Sequence, residues 1–185
     1  MSILSPVYFG GSRSLSPSPL LAQVVAAVLA SGEPVHVGCA TGADQQVIQC
    51  AHRSASFSQV RVFAAFGASG AGSWSGSAVA VVQAWAQAGG SVSWLAGGSL
   101  AVPMGARLMA RSVAGLAGAS AAVFFAPGVG SLKVAGVAVE RGIPVFAFCK
   151  QAPATGPRGA AGCWSPSSFL SFSCWQWSAA QLPLF

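Results

Sequence analysis

Acidic side chains are almost missing from this chain: Glu33, Asp44 and Glu140 are the only three, against nine lysines and arginines, for a net charge of +6. A mechanism that needs a pair of carboxylates has almost nothing to draw on. Charge of either sign is scarce, at 6% of residues, while 54% are hydrophobic and the mean hydropathy is +0.64. Such a composition suits a membrane protein, but the long apolar run that a spanning helix needs, roughly 20 residues, is lacking. The longest uncharged stretch, Val62–Ala106, is broken by glycines from Gly67 to Gly98 and by Pro103, with serines between. Ser112–Leu132 is cut by Pro127, Gly128 and Gly130. The first residues have no basic region, so no secretory leader is expected, and a soluble chain with no membrane partner is predicted.

No CxxC pair occurs, and the cysteines are odd in number: Cys39, Cys50, Cys149, Cys163 and Cys174. That argues against a disulfide framework and a ribbon-type zinc site. His36, Cys39, Cys50 and His52 lie close in sequence but match no zinc spacing, so buried thiols and a strand histidine are expected, and no metal. A reducing cytoplasm is the default compartment. A run of basic residues is also missing. The positive balance attracts phosphate, but its scatter along the chain weakens the case for nucleic acid.

What is present is alternation. Runs rich in Val and Phe (Pro6–Gly10, Pro34–Gly38, Val60–Ala65, Ser91–Leu95, Ala121–Phe125, Pro144–Phe148) alternate with Ala-rich segments. Those segments read as helices over Pro19–Ser31, Gly42–Arg53, Ser77–Ala88, Met104–Leu116 and Ser131–Arg141. Strands alternating with helices predict a mostly parallel sheet covered on both faces, a Rossmann-like three-layer α/β sandwich. Continuous apolar strands such as AAVFF fit burial on both sides. This domain is expected to span 1–150. After Lys150 the pattern stops. The remainder, 151–185, carries Trp164, Phe169, Phe172, Trp175, Trp177 and Phe185 and is too aromatic for a plain linker. It is expected to pack on the domain or to form a partner surface.

Ligands of open parallel sheets bind at the carboxyl ends of the strands. Three predicted strands there run into glycine-rich turns: Gly10-Gly11-Ser12-Arg13, Gly38-Cys39-Ala40-Thr41-Gly42-Ala43-Asp44 and Pro127-Gly128-Val129-Gly130-Ser131. Glycine lets backbone amides approach a phosphate, and a helix N-terminus favours its charge. Gly11, Ser12, Arg13, Gly38, Thr41, Gly42, Gly128, Gly130 and Ser131 are therefore candidate ligand contacts. Thr41-x-x-Asp44 has two readings. It fits a capping box, with Thr41 as N-cap and Asp44 at the third helical position. It also fits a ribose contact or an acid/base group, Asp44 being the candidate catalytic residue, ionised at a helix N-terminus. Arg107 and Arg111, four apart on one helix face, read either as solvated or as a phosphate clamp.

In their order along the chain, FGGSR (Phe9–Arg13), GCATGAD (Gly38–Asp44), RLMAR (Arg107–Arg111) and the APGVGS turn resemble the SLOG superfamily, nearest the YspA/YpsA-related branch. LOG-type phosphoribohydrolases and DprA are more distant relatives. The resemblance covers Pro6–Phe148 and implies a Rossmann-like fold and a nucleotide-related ligand. The chain departs from the LOG enzymes in one respect. Their PGGxGT turn is followed by a glutamate pair, whereas this turn is one residue shorter, with Lys133 and Val134 where the acids would fall.

The expected function is binding or sensing of a nucleotide or nucleotide-derived small molecule, with weak N-glycosidic hydrolysis as its possible chemistry and no cofactor. The alternative is single-stranded DNA binding of the DprA kind, with Trp175 and Trp177 as stacking surfaces. A docking partner for the aromatic tail, or a second copy of the chain, completes the candidates.

Overall fold

The computed structural model describes residues 5–180; Phe185 of the aromatic tail lies outside them. β1 (Val7–Gly11), β2 (Val35–Val37), β3 (Val60–Phe63), β4 (Ser91–Ser93), β5 (Ala121–Phe125) and β6 (Val145–Phe148) alternate with five helices. These are α1 (Pro19–Ala30), α2 (Ala43–Arg53), α3 (Gly76–Gln87), α4 (Met104–Gly115) and α5 (Val129–Glu140). β7 (Gly162–Phe169) and β8 (Phe172–Ala179) follow. All eight strands form one sheet in the order β4-β3-β2-β1-β5-β6-β8-β7. β1 to β6 pair in parallel; β8 runs antiparallel to β6, and β7 to β8.

The order fixes where a ligand can sit. From β1 the chain steps outward through β2, β3 and β4, then crosses back to β5 on the other side of β1. Crossovers between parallel strands are right-handed, so reversing the direction of travel moves the helices to the other face. Side chains of α1, α2 and α3 pack with Val7, Phe9, Val35, Val37 and Val62 in one core. Tyr8, Ala122 and Phe124, the alternate residues of β1 and β5, pack with Leu116 and with Val134, Ala135 and Ala138 of α5 in the other. The switch lies between β1 and β5, where the connections leave toward opposite faces and open a crevice.

Two-sided burial accounts for the apolar strands. All five residues of β5 are buried, and Phe9 is 0% exposed; burying a side chain of that size contributes about 1.5–3 kcal/mol. Local signals set the helix starts. Ser18 and Ser75 cap α1 and α3, their hydroxyls accepting from the amides of Leu21 and Ala78. α2 and α5 have no side-chain cap.

The segment after Lys150 departs from the sequence reading, which gave it no regular structure. β7 and β8 form a hairpin turning at Leu170 and Ser171, both with positive φ, as the type I′ form of a two-residue hairpin loop requires. Trp177 enters the second core and meets Trp164 edge-on at 5.3 Å, and Phe169 packs on Phe146 at 5.1 Å. Trp177 is 9% exposed, so it is core and not a stacking surface. No helix among the described residues is long and apolar enough to cross a membrane.

Candidate functional site

The turns after β1 and β2 are locked together by backbone. The Ser12 amide donates to Phe125 O at 2.9 Å, and its carbonyl accepts from the Ala43 amide at 3.0 Å. The Thr41 hydroxyl donates to Arg13 O at 3.1 Å. The turn after β5 joins them, since the Ser131 hydroxyl donates to Gly11 O at 3.0 Å. Three turns far apart in sequence thus meet at the carboxyl ends of β1, β2 and β5.

They border a cleft of about 800 Å³ between α4 and α5. Its β1 side is Gly11, Ser12, Arg13 and Ser14, and its α5 side is Gly128, Val129, Gly130, Ser131 and Lys133. Asp44 and Arg111 lie at the floor, and Tyr8, Leu108, Met109 and Phe124 supply an apolar wall. The start of α5 has no side-chain cap, so its leading amides are unspent donors. Together with its dipole they favour an anion. Arg13 and Lys133 are exposed at the rim.

The structure separates the sequence-predicted residues into two sets. Gly11, Ser12, Arg13, Asp44, Arg111, Gly128, Gly130 and Ser131 border the cleft, whereas Gly38, Thr41, Gly42 and Arg107 do not. Gly42 holds the turns together: it has φ +72, and a Cβ there would strike the backbone of Ser12 and Arg13. Gly38 makes room for a side chain rather than a phosphate, because a Cβ there would occupy the place of the Arg111 guanidinium.

The capping box is not formed. Gly42 is the N-cap of α2 and Asp44 its second helical residue. The Asp44 carboxylate reaches back to accept from the Ala40 amide at 3.0 Å and pairs with Arg111 at 3.0 Å. The arginine clamp is divided as well. Arg107 and Arg111 are 4% and 5% exposed, so neither is a solvated helix residue. Arg107 donates to the carbonyls of Val102, Ala65 and Gly72. Its guanidinium ties the loops after β3 and β4 to α4, away from the cleft. Arg111 turns the other way, toward α2.

Burial dominates the electrostatics of the floor. It pushes the Asp44 carboxyl up from its ordinary value, and Arg111 and the Ala40 amide pull it only part of the way back. The helix N-terminus is therefore not what governs Asp44. Burial also works against the Arg111 charge, but Asp44, with Cys39 and Tyr8 nearby, more than offsets it and holds the guanidinium above its usual range. Arg111 stays charged, and Asp44 surrenders its counter-charge to acid sooner than an exposed aspartate would. Burial also raises Tyr8 to about 12 and the Cys39 thiol above its ordinary value. Both are neutral hydrogen-bonding groups at physiological pH, and Cys39 Sγ accepts from the Ala65 amide at 3.3 Å. Among the described residues, Arg111 Nε and Nη1 find no partner, and the charge is paired with Asp44, whose loss leaves a buried cation uncompensated.

Several cleft residues escaped the sequence reading. Lys133 was noted only as standing where acids would fall, although its place one turn into α5 was the signal. Tyr8 was hidden inside an apolar strand, where alternation with Phe9 assigns it to the opposite face. Val129, 76% exposed, and Ser14 carried no signal. No group of three or more His, Cys, Asp and Glu that could hold a metal occurs among the described residues.

No family model matches this chain, and no curated protein matches it. Solved structures do. DNA processing protein A from Helicobacter pylori, whose structure concerns a single-stranded DNA binding mode, superposes with a TM-score of 0.60 at 16% identity, over 83% of this chain and 69% of that one. DNA processing protein A (DprA) from Streptococcus pneumoniae superposes with a TM-score of 0.56 at 19% identity, over 80% of this chain and 51% of that one. The chain therefore spans about half the length of the latter. At these identities the likeness establishes the fold, a Rossmann-like α/β domain.

Proposed function

We propose that this chain binds single-stranded nucleic acid, seating a phosphate and its nucleoside in the cleft between α4 and α5. The observation that carries the proposal is the division of that cleft. One side offers the open start of α5, the Gly11–Ser12 turn, Arg13 and Lys133; the other is the apolar wall of Leu108, Met109 and Phe124. Phosphate belongs on the first side by charge and amide donors, and a base on the second by contact with apolar side chains. The net charge of +6, the SLOG resemblance and the two similar structures support the same reading. Asp44 acts here as a positioning residue that holds Arg111 and the α2 turn.

The experiment is fluorescence anisotropy with a labelled oligothymidylate, titrated with salt. The expected result is saturable binding whose affinity falls as salt rises, and that is lost in Arg13→Gln with the fold retained. Binding by Arg13→Gln equal to wild type would overturn the assignment of the cleft.

A second reading, binding of a free nucleotide with or without cleavage, is favoured by the volume of the cleft, which lies in the 300–1,000 Å³ range of small-molecule sites. Competition by mononucleotides against the labelled strand separates the two. Base release by wild type but not by Asp44→Asn would make Asp44 catalytic and the chain an N-glycosidic hydrolase.

A further inference from the structure

The sheet order β1-β5-β6-β8 sets residues that are distant in sequence side by side along one edge. Arg13 follows β1, Lys133 lies in the second turn of α5 after β5, and Lys150 follows β6; all three are exposed. Beyond them stands the tip of the hairpin. Phe146 and Ala147 of β6 pair with Gln176 and Trp175 of the antiparallel β8. The residues before Trp175 therefore run on past the end of β6, and the Leu170–Ser171 turn projects at the cleft end of the sheet. Leu170 is 43% exposed there. This edge has no free acid: Asp44 is buried and paired, Glu33 precedes β2, and Glu140 closes α5 at the opposite end.

We infer that the cleft is the first part of a longer track, in which a single strand passes from the cleft over α5 and Lys150 to the hairpin tip. This rests on the nucleic-acid reading above and adds a second subsite to it. Lys133 and Lys150 take successive stretches of phosphate, and Leu170 meets a base. Neighbouring strands stand about 4.8 Å apart, so β1 to β8 spans about 14 Å. At roughly 3.4 Å per stacked nucleotide that is about four nucleotides. A shorter strand fills the cleft alone. A longer one reaches the hairpin and gains contacts that the aromatic, uncharged segment after Arg158 supplies from its turn.

The test uses the full chain and two labelled oligothymidylates, a trinucleotide and a dodecanucleotide, each titrated over a range of salt. The variants are Lys150→Gln and Leu170→Asn; asparagine tolerates the φ of +47 at that position, so the turn is kept. Lys150→Gln should flatten the salt dependence of the dodecanucleotide by about 0.7 in log–log slope, one single-strand phosphate contact. It should leave the trinucleotide unchanged. Leu170→Asn should weaken the dodecanucleotide several-fold with its slope intact. If both variants hold the dodecanucleotide like wild type while Arg13→Gln loses it, the track is overturned and the cleft stands alone. If wild type holds neither oligonucleotide, both readings fall.

Discussion

The two ends of the sheet are built differently. At the carboxyl end, three glycine-rich turns meet, α5 starts without a side-chain cap, and the exposed charges, Arg13, Lys133 and Lys150, are all positive. At the amino end, the exposed Arg53, Arg61 and Arg141 share the surface with Glu33 and Glu140. Salt-screened charges of mixed sign attract no polyanion, whereas one sign gathered around a cleft does. A net charge alone does not say which end it serves; the strand order does. The carboxyl end also holds the buried Asp44–Arg111 ion pair beneath the cleft, which carries a desolvation cost.

The sharpest way to break this contrast is to remove half of that pair. Asp44→Ala leaves Arg111 charged and buried without a counter-ion, a change that costs about 3–5 kcal/mol. Chemical denaturation should register it as a large fall in midpoint. Gly38→Ala should also destabilise, because the new methyl takes the guanidinium's place. An unchanged midpoint in both would mean that Arg111 is not held as described.

Arg107→Ala comes next. It deprives three backbone carbonyls of a charged donor and should cost about 1.5–3 kcal/mol. Because this guanidinium works outside the cleft, oligonucleotide affinity in the folded fraction should stay at the wild-type level. Loss of binding without loss of stability would restore Arg107 to the ligand site.

Lys133→Gln should show the reverse, with stability within about 0.5 kcal/mol of wild type and a salt slope lower by about 0.7. Arg53→Gln and Arg141→Gln, at the amino end, should change neither; a flattened slope in either would erase the distinction between the ends.

The smallest effect is one of pH. His36 is half-buried, and burial lowers its pKa below the ordinary 6.5 although the Gly115 carbonyl, 2.8 Å from Nδ1, favours the proton. The folded chain thus binds a proton less readily than the unfolded one. His36 contributes its stability above about pH 6.5, and that contribution is lost as pH falls through the folded value. In His36→Gln the difference in denaturation midpoint between pH 7 and pH 5 should shrink. A larger difference would reverse the sign assigned here.

Much of this was legible from residues alone. The expected helix over 42–53 is α2 at Ala43–Arg53, and AAVFF is β5 without change. In α2 the apolar residues Ala43, Val47, Ile48 and Ala51 recur at helical spacing on one buried face, and β5 is a short apolar run buried on both sides. The Gly10–Arg13 and Gly38–Asp44 turns were placed at the same end of the sheet by closing predicted strands there, and they meet at that end. What was not legible depends on contacts across the fold. Glycine in Gly38 looked like room for a ligand and is room for Arg111. Two arginines four apart share a face, and both are buried, but their reach in opposite directions is set by which carbonyls and carboxylate the neighbouring loops present. In the hairpin, GCWSPSSF has neither a β-branched residue nor a long apolar run, and its strand exists through pairing with β8. The alternation in FSCWQW, with Trp175 and Trp177 on one face, was the signal available.

The most direct test of the account is hydrogen exchange with and without a saturating single-stranded oligonucleotide. The amides of Val129, Gly130 and Ser131 lead an uncapped helix beside the cleft, and they should slow on binding together with that of Arg13. The amides around Glu33, Arg61 and Arg141 should exchange unchanged. Protection at the amino end with none at the start of α5 would contradict the placement of the site.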